Sequence, residues 1–240
     1  MTSIELPCGS HQELWQKLSR SVAEICEGRD ASHGHEHMQK VAVNSVRILK
    51  GEITEKEEGA EEMGRLVVIV AWLHDVADHK YDTDGTLQMR LERVLSEVCR
   101  SAEEAALVCN IIDRISFSKE QKVRAQSPDG CVDWLALLGT PVAVSVRHIV
   151  SDADKMEAIG EEGVTRCLEY SQHDYSRRNG GAEIPSALAM QHVLEHADEK
   201  LLRLKDEFMY TQTGKALAQP LHDQMVEALA KLEQQLQQQQ

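Results

Sequence analysis

The chain has 240 residues, a length that suits one globular domain with a core that needs no disulfide staples. Its formal net charge of −14 argues against binding to nucleic-acid polymers or anionic membranes, since both require lysine and arginine to neutralise phosphate groups. Aromatic residues make up only 4% of the chain, so aliphatic side chains must fill the core, and the abundance of Ala, Leu, Glu, Gln and Lys favours helix.

Apolar residues recur at steps of three and four along most of the chain and predict a succession of helices. In chain order these are 11–27, a helix around 38–48, 63–74, a helix capped by Asp84 or Thr86, 101–115, 141–150, 152–170, 186–208 and 215 to the end. Irregular or polar connections are expected at 30–34, 51–62, 116–139 and 171–185. No strand alternation persists, so we expect an all-α single domain over residues 1–240, with its core at about 10–230.

Several local signals support these helix boundaries. Ser101 and Glu104 form a capping-box pattern, and Pro141 suits the first turn of a helix. Gly160 and Gly163 weaken the prediction of helix at 152–170. The glutamine-rich tail at 234–240 is expected to be frayed and solvated.

The stretch from Met63 to His74 is apolar on nearly every side, which is typical of a buried helix. This helix delivers His74 and Asp75 to its own end. His37, on an earlier helix, and Asp154 complete a set of two imidazoles and two carboxylates. Such a set suits one divalent ion that keeps open positions for water and phosphate oxygens.

Two ligand positions have competitors within a few residues. His33 and His35 compete with His37, which is preferred because it stands on a helix that packs through Val41. Asp152 competes with Asp154, and Asp152 is also a candidate helix cap.

The ordered histidine, His-Asp doublet and distant aspartate resemble the signature of the HD-domain superfamily of metal-dependent phosphohydrolases. The resemblance covers roughly residues 10 to 230 and is greatest to the small single-domain HD proteins. The matching segments are 30–33 (DASH), 72–80 (WLHDVADHK), 115–118 (ISFS), 152–155 (DADK), 199–202 (EKLL) and 211–215 (TQTGK). It implies a helical bundle in which His37, His74, Asp75 and Asp154 hold the metal.

The same resemblance implies pyrophosphohydrolysis of nucleoside triphosphates, preferably deoxynucleotides, to a monophosphate and pyrophosphate. It casts Asp78 as the residue that orients or deprotonates the attacking water. Phosphate and leaving-group contacts are expected from five further residues: His33, Lys80, Lys155, His196 and Lys200.

The sequence also departs from the pattern of these proteins. Arg147 stands where an acidic residue is expected, Ala197 and Asp198 replace two aromatics, and Leu221 replaces an arginine. The connection from Ser116 to Pro141 is longer than usual. These departures leave open a nucleoside monophosphate or another small phosphoester as substrate, or a nucleotide-sensing role without catalysis.

Few histidines lie between the doublet and Asp154, namely His79 and His148, which favours one metal ion over two. The ligand set suits Mn, Mg, Fe, Co or Ni. The six cysteines are scattered without CxxC pairs, and with no signal peptide apparent we expect reduced thiols in a cytoplasmic protein. The sequence leaves open whether the chain is a monomer or a homodimer.

Overall fold

The computed structural model describes residues 11–29, 34–53, 59–78, 82, 84–127 and 130–238, and within them all regular secondary structure is helical. The predicted all-α class is confirmed. The helices are α1 (His11–Ile25), α2 (His35–Glu52), α3 (Ala60–Leu73), α4 (Thr86–Val98), α5 (Ala102–Ile112), α6 (Phe117–Gln126), α7 (Trp134–Leu138), α8 (Pro141–Met156), α9 (Gly160–Arg178), α10 (Ser186–His196) and α11 (Gln212–Gln238). Two π-helical turns, Ala197–Leu201 and Leu204–Phe208, follow α10.

Contacts between Cα atoms divide the chain into two compact units, residues 1–154 and 155–240. The expectation that residues 1–240 form a single domain stays a prediction. Within the described residues, no helix has both the length and the hydrophobicity required to cross a lipid bilayer.

Helix α3 is the centre of the first unit. It packs against α1, α2 and α5, and every residue from Gly64 to Leu73 is buried. Arg65 is the charged residue within this buried run, and its guanidinium pairs with Glu104 and donates to the carbonyl of Val98. The predicted buried helix ending at the His-Asp doublet is therefore confirmed.

The second unit is built from α9, α10 and α11, which pack against one another. Helix α11 continues to Gln238 and carries Pro220 inside it. The expected fraying from residue 234 is therefore wrong for 234–238, where the helix continues, whereas the expected exposure to solvent is confirmed there; residues 239–240 lie outside the described part of the chain.

Some predicted boundaries are confirmed. The hydroxyl of Ser101 accepts a hydrogen bond from the backbone N–H of Glu104 and caps α5, and α8 begins at Pro141. Helix α4 begins at Thr86, but Gly85 occupies the N-cap position, so the expected cap by Asp84 or Thr86 is wrong, although Asp84 accepts a hydrogen bond from the backbone N–H of Thr86.

Three predicted helix or loop boundaries are wrong, because the local sequence pattern did not determine where these helices begin or end. The connection at 116–139 contains α6 and α7. The expected break at 150–152 is absent, because α8 runs to Met156 and the chain turns at Gly160, whose φ is +88°. Helix α9 extends to Arg178, into the first part of the connection expected at 171–185, and Asp174 pairs there with two arginines one turn ahead.

Candidate metal centre

Three side chains from three helices converge in the first unit: His37, His74 and Asp154. His37 lies in the first turn of α2, His74 caps the C-terminus of α3, and Asp154 lies near the end of α8. One nitrogen or oxygen atom from each lies within 4.8 Å of the others. Nε2 of His37 is 3.5 Å from Oδ1 of Asp154, and Nε2 of His74 is 3.6 Å from the same oxygen.

The buried ring of His74 has a fixed orientation. Its Nδ1–H donates to the carbonyl of Ala71 at 2.9 Å, so Nε2 is the nitrogen turned toward Asp154. A backbone carbonyl on the far ring nitrogen is a common way to fix the tautomer of a metal-ligating histidine. Burial lowers the pKa of His74, but the carboxylates of Asp154 and Asp75 outweigh it and raise the pKa to about 9.

The donor set fits a divalent cation. Both imidazole-to-carboxylate distances exceed the usual N–H···O range of about 2.7–3.2 Å, so the three side chains are spaced more widely than hydrogen-bonded groups are. Ligand bonds of about 2.0–2.2 Å to a common ion separate neighbouring donors by roughly 3–3.5 Å. His37 and His74 are buried and Asp154 is partly exposed, so solvent reaches the cluster at the aspartate.

The geometry distinguishes Asp154 from Asp152. Asp152 is fully buried inside α8, so the alternative in which it caps a helix is wrong. Asp154 is the residue that reaches the two histidines.

The geometry also distinguishes His37 from His35. Nε2 of His35 lies 3.0 Å from the hydroxyl of Ser19, and its ring packs on Trp72 at 5.4 Å between centroids. His35 therefore joins α1, α2 and α3 and is not in the cluster. His33 lies outside the described residues.

Asp75 does not belong to the three-residue group, although it is predicted to ligate the same ion. Its carboxyl hydrogen-bonds to that of Asp78, and burial, together with the charges of Asp154 and Asp78, raises its pKa to about 7 despite the opposing charge of His74. Ligation by Asp75 stays a prediction. The backbone N–H of Asp78 donates to the carbonyl of Asp75 at 3.3 Å, and a water-orienting role for Asp78 stays a prediction.

Arg29 is a residue that the sequence did not single out. Its guanidinium donates to the carbonyls of Asp75 and Val76, at 3.2 and 2.5 Å, and so holds the turn that carries the doublet. No local pattern marks this role, because the arginine and the turn are 46 residues apart.

The predicted phosphate contacts are distributed over the chain. Lys80 lies outside the described residues. Lys155 is buried at the end of α8, and Lys200 lies in the first π-helical turn of the second unit. Burial and the nearby charge of Lys200 lower the pKa of His196. Substrate contact by these residues stays a prediction.

No protein-family model matches the chain. The sequence is 26% identical over 223 residues to an uncharacterized protein of Bacillus subtilis, YpgQ, with 91% of each chain covered. A crystal structure of YpgQ in complex with ADP has a TM-score of 0.58 at 22% identity, covering 93% of this chain and 95% of that one.

Two further solved structures are similar. A protein of Lactobacillus plantarum has a TM-score of 0.65 at 22% identity, covering 93% of this chain and 97% of that one. An HD-superfamily hydrolase of Bacillus thuringiensis has a TM-score of 0.58 at 23% identity, with coverage of 93% and 97%.

The fold and the cluster define an all-α protein with two histidines and an aspartate able to hold a metal ion. The fold is shared with an HD-superfamily hydrolase of Bacillus thuringiensis and with the Lactobacillus plantarum protein, as the resemblance predicted from the sequence implied.

Proposed function

We propose that the protein is a metal-dependent phosphohydrolase that acts on nucleotides and releases pyrophosphate from nucleoside triphosphates, preferably deoxynucleotides. The observation that carries the proposal is the convergence of His37, His74 and Asp154 from three separate helices. The HD-superfamily fold and the binding of ADP by the structurally similar YpgQ support hydrolysis as the reaction and a nucleotide as the ligand.

In this proposal His37, His74 and Asp154 hold one divalent ion, with Asp75 as a fourth ligand. The ion supplies Lewis-acid polarisation of phosphate oxygens and lowers the pKa of a coordinated water. The Nδ1–H of His74 stays on the Ala71 carbonyl, which keeps Nε2 available as a donor.

Asp78 accepts the proton of the attacking water in the proposed reaction. A ligating Asp75 would be ionised, so the proton that the two carboxyls share without metal would be lost and Asp78 would remain a carboxylate able to accept one. Lys80, Lys155, Lys200, His33 and His196 are proposed to neutralise charge on the transferred and leaving groups.

The test compares Asp154→Ala with Asp113→Ala, a matched removal of an exposed aspartate whose ion pair to Lys119 is on the surface. The panel contains nucleoside mono-, di- and triphosphates with Mn, Mg, Fe, Co or Ni, and both orthophosphate and pyrophosphate are measured. Asp154→Ala should bind no metal and lose activity by about 10³-fold or more, while Asp113→Ala should retain both. Full activity of Asp154→Ala contradicts the proposed mechanism.

The products separate the alternatives within this experiment. Pyrophosphate from triphosphates supports the proposed reaction, and orthophosphate from monophosphates identifies a phosphomonoesterase instead. Nucleotide binding without turnover by any metal-loaded form identifies a nucleotide sensor and contradicts the enzyme proposal.

A further inference from the structure

A buried charged cluster lies on α8 upstream of Asp154. Arg147 and Glu120 are both fully buried, and Nη2 of Arg147 is 2.5 Å from Oε2 of Glu120. The Nε–H of Arg147 donates to the carbonyl of Arg114 at 3.0 Å, and its guanidinium carbon lies 3.8 Å from the centre of the Trp134 ring.

The carboxylate of Glu120 is shared by two arginines. Arg124, one turn further along α6, donates to Oε1 through Nε at 3.0 Å and Nη2 at 2.8 Å. Nη2 of Arg147 donates to the other carboxylate oxygen, Oε2 of Glu120. Charge-assisted, two-sided hydrogen bonding of this kind fixes geometry more than it stabilises the fold, because desolvation offsets much of the attraction in a buried ion pair.

Ser151 supplies a second anchor on the same helix. Its buried hydroxyl donates to the carbonyl of Ile115 at 3.2 Å, next to the Arg114 carbonyl that Arg147 contacts. Two adjacent carbonyls at the start of the α5–α6 connection therefore hold two consecutive turns of α8.

These anchors lie on the same face of α8 as Asp154. Asp154 follows Arg147 by seven positions, which corresponds to about 10 Å along the axis and an angular offset of only about 20°. Ser151 lies between them. Because a helix is rigid over two turns, the rotation and axial position of α8 set at Arg147 and Ser151 also set the position of Asp154.

We infer that Glu120 and Arg147 are positioning residues for the metal centre: the buried pair holds α8 so that the carboxylate of Asp154 reaches His37 and His74. The inference rests on the proposed function only in that the three-residue cluster binds a divalent ion. It also assigns a role to α6 and α7, which supply Glu120 and Trp134 to the only arginine on α8.

The test uses the full chain with Glu120→Leu and Arg147→Met together, which removes both fully buried charges at once and leaves Arg124, whose side chain is partly exposed, without the Glu120 carboxylate. The dissociation constant for Mn²⁺ is measured by titration, the zero-field splitting of bound Mn²⁺ by electron paramagnetic resonance, and the melting temperature of the metal-free protein by circular dichroism. We expect a dissociation constant raised by about 10-fold or more and an altered splitting, with helical content unchanged. Arg147→Lys, which cannot span Glu120 and the Arg114 carbonyl in the same way, should show a smaller effect of the same sign and serves if the double variant does not fold.

Leu95→Ala is the control for lost stability. Leu95 is a buried residue of α4, which packs on α1 and α5, and its truncation should lower the melting temperature and leave Mn²⁺ affinity and splitting unchanged. The inference is overturned if folded charge-replaced variants bind Mn²⁺ like the wild type, or if Leu95→Ala weakens binding as much as they do. Mn²⁺ binding by the wild type without nucleotide turnover overturns the proposed reaction and leaves the positioning role standing, whereas failure to bind any of Mn²⁺, Mg²⁺, Fe²⁺, Co²⁺ and Ni²⁺ overturns both.

Discussion

At the scale of single residues, the ionisable side chains around the metal centre shift one another's pKa values when no metal is bound. Asp154 and Asp75 stabilise the protonated ring of His74, whose pKa rises to about 9, while burial and two neighbouring carboxylates raise the pKa of Asp75 to about 7. In each case the folded protein holds its proton more tightly than the unfolded chain does.

This protonation predicts how stability depends on pH. The pKa of His74 is higher in the folded state than its ordinary value of 6.5, so its contribution is fully present below pH 6.5 and is lost as pH rises through about 9. The free energy of unfolding of the metal-free protein should therefore fall by roughly 3 kcal/mol between pH 6.5 and 9, as measured by urea denaturation.

Two comparisons check the assignment to His74. His74→Gln should have a flatter stability profile between pH 6.5 and 9, because the titrating ring is gone. Saturating divalent metal should also flatten the wild-type profile, since a ligating imidazole is neutral throughout this range. A wild-type profile that stays level from pH 6.5 to 9 without metal contradicts the raised pKa.

Much of the cluster could be predicted from the sequence at this scale. His37, His74 and Asp154 were named from their order and residue type, and the three do converge. Arg29 could not be predicted, because its partners are backbone carbonyls, which any sequence supplies. The side-chain direction of Asp75 depends on the turn after α3, and helix periodicity does not extend into that turn.

At the scale of elements, the turn between α8 and α9 depends on close backbone approach. A Cβ atom added to Gly163 would lie 2.3 Å from the carbonyl oxygen of Ala158, which belongs to the backbone and cannot rotate away. Gly163 lowers the helix propensity of α9, but the turn before α9 requires a residue without a side chain at this position.

Gly163→Ala should consequently destabilise the protein by about 2–3 kcal/mol, the range for overpacking that forces backbone movement. Gly180→Ala is the matched control: Gly180 has a φ of +63°, but a Cβ there would meet no atom within 4 Å. That variant should cost only about 1 kcal/mol, for its left-handed conformation. Chemical denaturation measures both, and equal losses would argue against the contact with Ala158.

The sequence did not predict helix α6, whose buried contact is with a residue distant in the chain. Helix α6 has hardly any apolar face, so periodicity gave no signal for it, and its one buried residue is Glu120, which Arg147 pairs with from 27 residues away. The sequence predicts helix α3 well because its apolar composition alone indicates that it is buried. Helices defined by their own pattern could be predicted, and helices defined by a buried ion pair could not.

At the scale of the whole molecule, a net charge of −14 opposes the approach of an anionic nucleotide. The metal cluster has to overcome this field locally. Long-range repulsion is screened by salt over about 10 Å at 0.1 M ionic strength, whereas direct contacts between ion and phosphate are screened much less. The proposed activity and the acidic surface together therefore predict an unusual response to salt.

With metal saturating, kcat/KM for a nucleoside triphosphate should rise by roughly twofold or more as NaCl increases from about 20 to about 150 mM, because screening removes repulsion during encounter. Steady-state rates at limiting substrate measure this. Replacing three exposed glutamates, Glu92, Glu227 and Glu233, by glutamine removes three negative charges and should raise the rate at low salt while reducing its response to NaCl. A rate that falls with salt would mean that a local cationic field dominates the encounter, which would contradict steering by the net charge.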